Sequence, residues 1–583
     1  MNATHPDILT DPMLQLPGEG SVRVVWFTRS AGTRHEVACG DTLSRTCRAE
    51  SARMSRMLED RESQLAESVD GLVERDVWRH EAVLSGLEPD TRTPYRVRSV
   101  FKDSQYESRV FTCQPLPGPD RGLRVLLTSD HQNHAMAPAN YQKVVETAGR
   151  LDAVFFAGDF ANFSNRASEW FDRHNEQRPA FFPTMQGRFR TQFAEHPYTG
   201  GEILQHAWLF GTMGNHDSSG RWNPDTRSIH EMFNDAQPTW FAELQYDRHA
   251  DRRARDGERA RDRARWVQDH SLEATTYFEL LRHPDDGPEG QSYYAIRLGN
   301  TFLISMNTNR IWRNWNPGMR GKFGEAPEHL NNPDMWGFGD IHFTDFAPGS
   351  RQYEWLCEVL QSEACRSAEY RVVMTHQTMF GLGDNALPVM ASPVVTIEYE
   401  QDGTRQTLPE FTWPVSSPFW EATIQPLVDA QAITDIRYSY PPEDDIWLNH
   451  IEPLLIDHNV NLVLCGHSHL WNRMQVGDLH YLETSNVTTS AGAGYEGFGE
   501  RAPWATIPPG YPRTGDAHGR HTVMPTEFNP HAEWSGTEPM PFVSSTDWTV
   551  FSILDTGTGT VSSYVFDTRV PDSEAVLMDR FTI

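Results

Sequence analysis

Lysine is almost missing from this chain, occurring only at Lys102, Lys143 and Lys322, so nearly all of its positive charge is arginine. Positive charge as a whole is short, with 51 basic against 80 acidic side chains and a formal net charge of −29. Such a surface repels nucleic acid and anionic membrane as main partners, leaving room only for a local basic site that takes one small anion. Cysteine is sparse as well. Cys39, Cys47, Cys113, Cys357, Cys365 and Cys465 are scattered over 583 residues without a CxxC pair. That spacing argues against a thiolate zinc site, a redox dithiol and a disulfide framework. No apolar run reaches the roughly eighteen residues of a transmembrane helix, so a membrane span is excluded. Residues 1–20 have neither the basic nor the apolar region of a secretory signal, and cytoplasm is the expected location.

What is present suffices for folded cores. Hydrophobic residues make up 38% and aromatics 11% of the chain, which rules out wholesale disorder. The length implies roughly two to four domains. After a polar arm at 1–20, the runs VRVVWFT (22–28), WRHEAVLSGL (78–87), YRVRSV (95–100) and SRVFTC (108–113) read as short strands with turn signals between them. They predict a small all-β sandwich over 21–117, with the charged stretch 42–72 as a helical insertion or solvated excursion, and QPLPGP (114–119) as a linker. The remainder, 118–583, reads differently. LRVLLTSDHQ, DAVFFAGDFAN, AWLFGTMGNHD, TFLISMNTN, YRVVMTHQ and NLVLCGHSH are apolar runs that end abruptly in polar clusters, as strands buried on both faces do. Helical patterns at 141–151 and 353–360 lie between them, so this part is α/β, with function expected just beyond the strand ends. The Arg/Asp run 248–266 reads as a solvated helix laced with ion pairs, and 548–567 as a hairpin.

The polar clusters hold the chemistry. Asp130 and Gln132 follow the first run, Gly158-Asp159 the second and Gly214-Asn215-His216-Asp217 the third; Thr375-His376 and Gly466-His467-Ser468-His469 follow two later ones. Carboxylate, amide oxygen and imidazole suit Mn, Fe or Zn. If 466–469 is extended, its two histidines share one face. Each block alone is an ordinary turn or core histidine; five in order, each placed by a buried strand, point to one metal-bearing rim.

In that order these blocks resemble the calcineurin-like metallophosphoesterases, over roughly residues 122–490, with Gly-Asn-His-Asp and Gly-His-Ser-His the most specific parts. Trp78-x-His80-x-Ala82-x-Leu84-x-Gly86-Leu87-x-Pro89-x-Thr91 with Tyr95-x-Val97 is similar to the fibronectin-III-like domain preceding the catalytic domain in purple acid phosphatases and PhoD-like phosphatases. Leu470-Trp471-Asn472-Arg473 resembles the aromatic-x-Arg ending found there. The resemblance implies a four-layer α/β/β/α sandwich behind the small β-sandwich, and hydrolysis of phosphate esters by a hydroxide held between two divalent cations. It implies that Asp130 and His469, with Gln132, bind one ion, that Asp159 bridges, and that Asn215, His376 and His467 complete the other. His216 would stand near the scissile phosphate, oriented by Asp217.

Two positions depart from the pattern. Gln132 stands where histidine is usual, so it would ligate through its amide oxygen or through water, and more weakly; His131 points to the other face if the segment stays extended. Asn162 stands where the purple enzymes carry tyrosine, so the purple colour is not expected. The expected partner is a small phosphorylated molecule, monoester or diester. Long insertions at about 220–370 and 490–545 include NTNRIWRNWNPGMRGK (307–322), either a cap for an anionic substrate or a packed loop, and His518, Arg520, His521 and His531, expected on the surface. A non-catalytic scaffold of the same fold, or a hydrolase of a non-phosphate ester, are the rival readings.

Overall fold

A computed structural model describes all residues except 1–4, 64, 66, 173–177, 194–195, 249–258, 312–319, 378–381, 383–388 and 486–520. Two large sheets carry the architecture, which belongs to the mixed α/β class. The first has ten strands, in the order Val576–Thr582, Thr560–Asp567, Trp548–Asp555, Arg124–Thr128, Ala153–Phe156, Trp208–Gly211, Met13–Gly18, Ser21–Thr28, Trp78–Ser85 and Glu50–Arg53. The second has eight and is built around the parallel run Thr301–Ser305, Tyr370–Met374, Leu462–Cys465 and Leu479–Thr484.

Alternation along the strands explains how the sheets stack. Val125, Leu127, Phe155 and Phe210 of the first sheet share one apolar cluster with Leu303, Val372, Met374, Leu462 and Leu464 of the second. The intervening side chains face outward on each sheet. Leu126, Val154, Phe156 and Leu209 pack on Tyr141 and Val144 of the Ala137–Ala148 helix and on Trp170 and Phe181. On the second sheet Phe302, Ile304, Val373 and Val463 pack on Trp355, Leu356 and Leu360 of the Arg351–Gln361 helix. Burial on both faces is why these strands read as uninterrupted apolar runs.

The N-terminal residues are built into this sheet. Within 1–20, expected to be a polar arm, Met13–Gly18 is a buried strand that pairs antiparallel with Ser21–Thr28 and parallel, at Leu14 and Trp208, with Trp208–Gly211. A five-stranded sheet containing Arg34–Cys39 and Thr93–Val100 packs across it through Val37, Val97 and Trp26. Tyr95 donates its hydroxyl to Gln205 O at 2.8 Å, and Trp208 Nε1 donates to Gln114 O at 3.1 Å. The stretch 42–72 holds no helix among its described residues. It forms the strands Arg45–Arg48, Glu50–Arg53 and Leu58–Glu59, and Asp60 pairs with the buried Arg166 at 3.1 Å. Of the Arg/Asp run, Arg259–Asp269 is a helix, and Arg263 pairs with Glu243 and Asp247 of the neighbouring Thr239–Arg248 helix at 3.1 and 3.0 Å. The C-terminal hairpin falls at Trp548–Asp555 and Thr560–Asp567 as its turn glycines suggest. His531 is buried against Phe542 and Trp548, not on the surface; His518 and Arg520 lie outside the described residues. No helix among the described residues is long and apolar enough to cross a membrane.

Deleting residues 1–117 would remove four strands of the ten and leave Trp208–Gly211 with an unpaired edge. The fragment 118–583 is therefore expected to aggregate. Size-exclusion chromatography and thermal melting check this, and a soluble fragment that melts cooperatively would contradict it.

Buried neutral histidines set an acid limit on the fold. Burial, followed by the charges of His35 and Arg79, pushes His80 down to about 2, and burial pushes His283 to about 3. Their unfolded value is about 6.5, so below that pH the unfolded chain binds more protons and stability falls as pH falls. Between pH 7 and pH 5 each histidine is expected to withdraw about 2 kcal/mol. Urea denaturation across that range checks this: the midpoint should drop, and His80→Asn should flatten the slope by about one proton.

Candidate metal centre

Each predicted ligand sits just past a strand end, and most are held in a backbone conformation that non-glycine residues rarely adopt. Asp130, Gln132, Asn133, Asp159, His467 and His469 have φ of 53°, 36°, 58°, 61°, 84° and 58°. Left-handed residues cost energy and gather where a site is preorganised. The segment 466–469 is therefore not extended. The strand ends at Cys465, and His467 and His469 reach the site through left-handed turns, not through a two-residue period.

The loops interlock at close range. A Cβ on Gly214 would lie 2.1 Å from Asp159 Oδ1, and one on Gly466 would lie 2.3 Å from Asp130 Oδ2, so only glycine admits the carboxylates there. Asp130 takes a hydrogen bond from His467 N at 2.9 Å on Oδ2, with the Ser129 hydroxyl beside it. Its buried Oδ1 has no hydrogen-bond partner among the described residues, and His469 Nε2 lies 3.5 Å away. Asp159 Oδ1 accepts from His216 N at 2.8 Å, while Oδ2 lies 2.6 Å from Gln132 Nε2 and 3.2 Å from His376 Nε2. Asn215 Oδ1 stands 3.0 Å from both His376 Nε2 and His467 Nδ1. Ligand atoms of Asp159, His376 and His467 all lie within 4.8 Å of one another, a group able to hold a metal ion. Asp130, Asp159 and His376 are buried, whereas Asn215, His216, His467 and His469 are half-buried, so carboxylates form the floor and imidazoles the mouth.

The electrostatics fit a cation. Burial opposes ionisation of Asp159, but the charges of His376 and His216 and their hydrogen bonds hold its carboxyl below the usual range. Burial likewise opposes charge on His376, yet Asp159 raises it to about 10. A metal ion would take the place of that proton between them. Burial and the charge of Asp159 push Asp217 up, and burial with some help from Asp130 pushes Glu483 up to about 8. Carboxylates crowded under one rim, one of them with an orphaned oxygen, are what a divalent ion relieves.

One assignment changes role. Asp217 does not orient the His216 ring. Its carboxylate accepts from Gly214 N and Asp159 N, each at 2.8 Å, and from Phe160 N at 3.0 Å, so it shapes the backbone that presents Asp159. The His216 ring is set by Asn162 O, 2.8 Å from Nδ1, and stacks on Phe233. Gln132 is in the cluster, its Nε2 towards Asp159 and its Oε1 3.3 Å from His134 Nε2; an amide flip would turn the oxygen inward. His131 points away, stacked with Tyr141.

Some supporting residues were not anticipated. Glu483 accepts from Ser468 N at 2.8 Å and so braces the 466–469 turn; an acid inside a fully buried strand was the available signal. Asn133 fastens the first loop through Glu169 O, Pro179 O and Asn162 N. Arg473, of the Leu470–Arg473 ending, makes a buried two-point pair with Asp579 at 2.8 and 3.1 Å.

No protein-family model matches the chain, and no curated protein matches it in sequence. Among solved structures it is similar in fold to a purple acid phosphatase from seeds of yellow lupin (Lupinus luteus). The TM-score is 0.52 at 11% identity, over 98% of this chain and 73% of that one. The anchor in the inner membrane complex of Plasmodium also matches, at 10% identity over 79% of this chain and 89% of that one, but its TM-score of 0.31 carries no argument.

Imidazole is a stronger donor than a neutral amide oxygen to a borderline ion. Gln132→His is therefore expected to slow loss of divalent cation under mild chelation. A chelator titration with elemental analysis checks this, and unchanged affinity would put Gln132 outside the donor set.

Proposed function

We propose that the protein hydrolyses phosphate esters with two divalent cations, Mn, Fe or Zn, held at this rim. The observation that carries the reading is the grouping of Asp159, His376 and His467, with Asn215 Oδ1 against both rings, beside Asp130 and His469. Asp130, His469 and Gln132 would hold one cation, Asn215, His376 and His467 the other, with Asp159 shared. The fold shared with a purple acid phosphatase supports this reading; we read 118–583 as a four-layer α/β/β/α metallophosphoesterase sandwich and 21–117 as a fibronectin-III-like segment whose strands continue its first sheet.

Bound cations supply Lewis-acid polarisation of phosphoryl oxygens and a water that ionises near neutral pH. The chain does the rest. Asp159, shared by both, would lower the mutual repulsion of two cations held here. Asp217 fixes the backbone that presents Asp159, and Glu483 fixes the turn that presents His467 and His469. At His216, a carbonyl can only accept, so Nδ1 carries its proton towards Asn162 O. A second proton, on Nε2, makes the ring a donor to the phosphoryl group or the departing oxygen.

Asp159→Ala is expected to abolish turnover and most metal uptake. His216→Ala should lower kcat by roughly 10²–10⁴-fold while metal content stays near normal. Elemental analysis alongside ester hydrolysis separates the roles: metal loss in the His216 variant would make it a ligand, and an active, fully metallated Asp159 variant would sink the shared-carboxylate assignment.

A further inference from the structure

Between the strands Glu50–Arg53 and Trp78–Ser85 the N-terminal chain makes an excursion that reaches the loops of the candidate metal centre. Leu58 N donates to Asn165 O at 2.8 Å, and the Leu58 side chain shares a buried cluster with Phe163, Ile229, Met232 and Phe233. Asp60 follows two residues later and is 1% exposed. Its Oδ2 accepts from Ile229 N at 2.8 Å, and both of its oxygens accept from Arg166 NH2 at 3.1 Å. Arg166 is buried as deeply and donates through NH1 to Glu169 at 2.9 Å.

The Ile229–Asn234 helix carries that hold to the site. Ser228 caps it by accepting from Glu231 N at 3.1 Å, which leaves the first helical N–H, on Ile229, to be satisfied from outside. Asp60 satisfies it. Ile229 and Phe233, one turn apart, share a helix face. Phe233 stacks on the His216 ring, with centroids 5.2 Å apart and planes inclined by 27°. Phe163 meets Phe233 edge-on at 5.1 Å, and its neighbour Asn162 is the residue whose carbonyl oxygen stands 2.8 Å from His216 Nδ1.

His216 is thus restrained twice, at one edge by Asn162 and across one face by Phe233, and the excursion holds both segments. Asn165 links them further: its Nδ2 donates to Ser219 Oγ at 3.0 Å, on the loop that carries His216, while its backbone oxygen receives Leu58. Arg166 lies over the Phe163 ring at 4.6 Å, so the guanidinium that Asp60 holds also backs the aromatic pair. A buried carboxylate that binds a guanidinium and a helix end together is a fixed point, since shifting it would break both contacts at once.

We propose that Asp60 is a positioning residue for His216, acting through the Ile229–Asn234 helix and Arg166, so that the N-terminal excursion governs where that ring stands at the metal centre. The kinetic consequence rests on the hydrolase reading; the placement of the ring does not. A donor to the phosphoryl group or the departing oxygen works only within hydrogen-bond reach, and small displacements cost rate. A residue that acts only through His216 loses its effect when that ring is absent, whereas a brace for the fold in general does not.

The test uses full-length, Zn-loaded protein and reads turnover of p-nitrophenyl phosphate and bis(p-nitrophenyl) phosphate, zinc content, and the NMR signals of carbon-13-labelled histidine rings. His216→Ala identifies the His216 signal by its disappearance. Asp60→Asn is expected to lower kcat about tenfold with KM and zinc content nearly unchanged, and to have no further effect in the His216→Ala background. It should also shift the His216 signal as Phe233 moves. An unchanged kcat, a loss of equal size in both backgrounds, or an unmoved His216 signal overturns the proposal. Should Asp60→Asn fail to fold, Ile229→Pro decides by the same readings, because it removes the N–H that Asp60 holds. Proline suits the first position of a helix, and Ser228 before it is already extended, at φ −146° and ψ 156°. Wild-type protein that hydrolyses neither ester would reject the hydrolase reading; the His216 signal in Asp60→Asn then decides the placement, a shift supporting it and no shift overturning it.

Discussion

The Asp159 carboxylate joins every part of the site, because four loops meet on that one residue. Its own backbone N–H is held by Asp217, its Oδ1 by the His216 N–H, and its Oδ2 stands against Gln132 and His376. Such crowding around a buried negative charge is tolerable only with close donors on all sides, and a Cβ at Gly214 would already exclude it. The strand lengths, the left-handed turns at their ends and the bracing by Asp217 and Glu483 all serve the placement of this carboxylate and of Asp130 opposite it.

The candidate site was legible because the chemistry is concentrated: polar clusters follow apolar runs, and the runs are apolar because both faces of each sheet are covered. Gly214-Asn215-His216-Asp217 and Gly466-His467-Ser468-His469 could be located from residue types alone. Their internal geometry could not. Alternation is a reasonable guess for His467 and His469, but it takes the backbone to be extended, and φ values of 84° and 58° replace that with turns. Asp217 was assigned to its sequence neighbour His216, whereas its hydrogen bonds go to backbone amides as far away as Asp159. Side chains that act through long-range backbone contacts leave little trace in spacing. Glu483 is the plainest example, fifteen residues beyond the Ser468 amide it supports.

The N-terminal part was harder to read for a different reason. Strand propensity marks Ser21–Thr28 and Trp78–Ser85 well, but propensity does not say which sheet a strand joins. Met13–Gly18 contains a proline and a glycine and lies in a segment that looks polar overall, yet its Met13 and Leu14 are buried between Ser21–Thr28 and the Trp208 strand. The signal that would have found it is the pair of apolar residues opposite Val24 and Val25, visible only once the pairing is known.

That shared sheet bears on how the molecule can move. Separate modules joined by a linker can swing about it, opening and closing a cleft as rigid bodies. Here the outermost N-terminal strands and the strands bearing Asp130 and Asp159 belong to one sheet, joined where Leu14 meets Trp208 and further pinned by Tyr95 on Gln205 and Trp208 on Gln114. A swing between them would break backbone hydrogen bonds across the sheet. A reactant binding at the rim would therefore meet a shared sheet that holds still as one chassis, from its outermost N-terminal strand to its C-terminal hairpin.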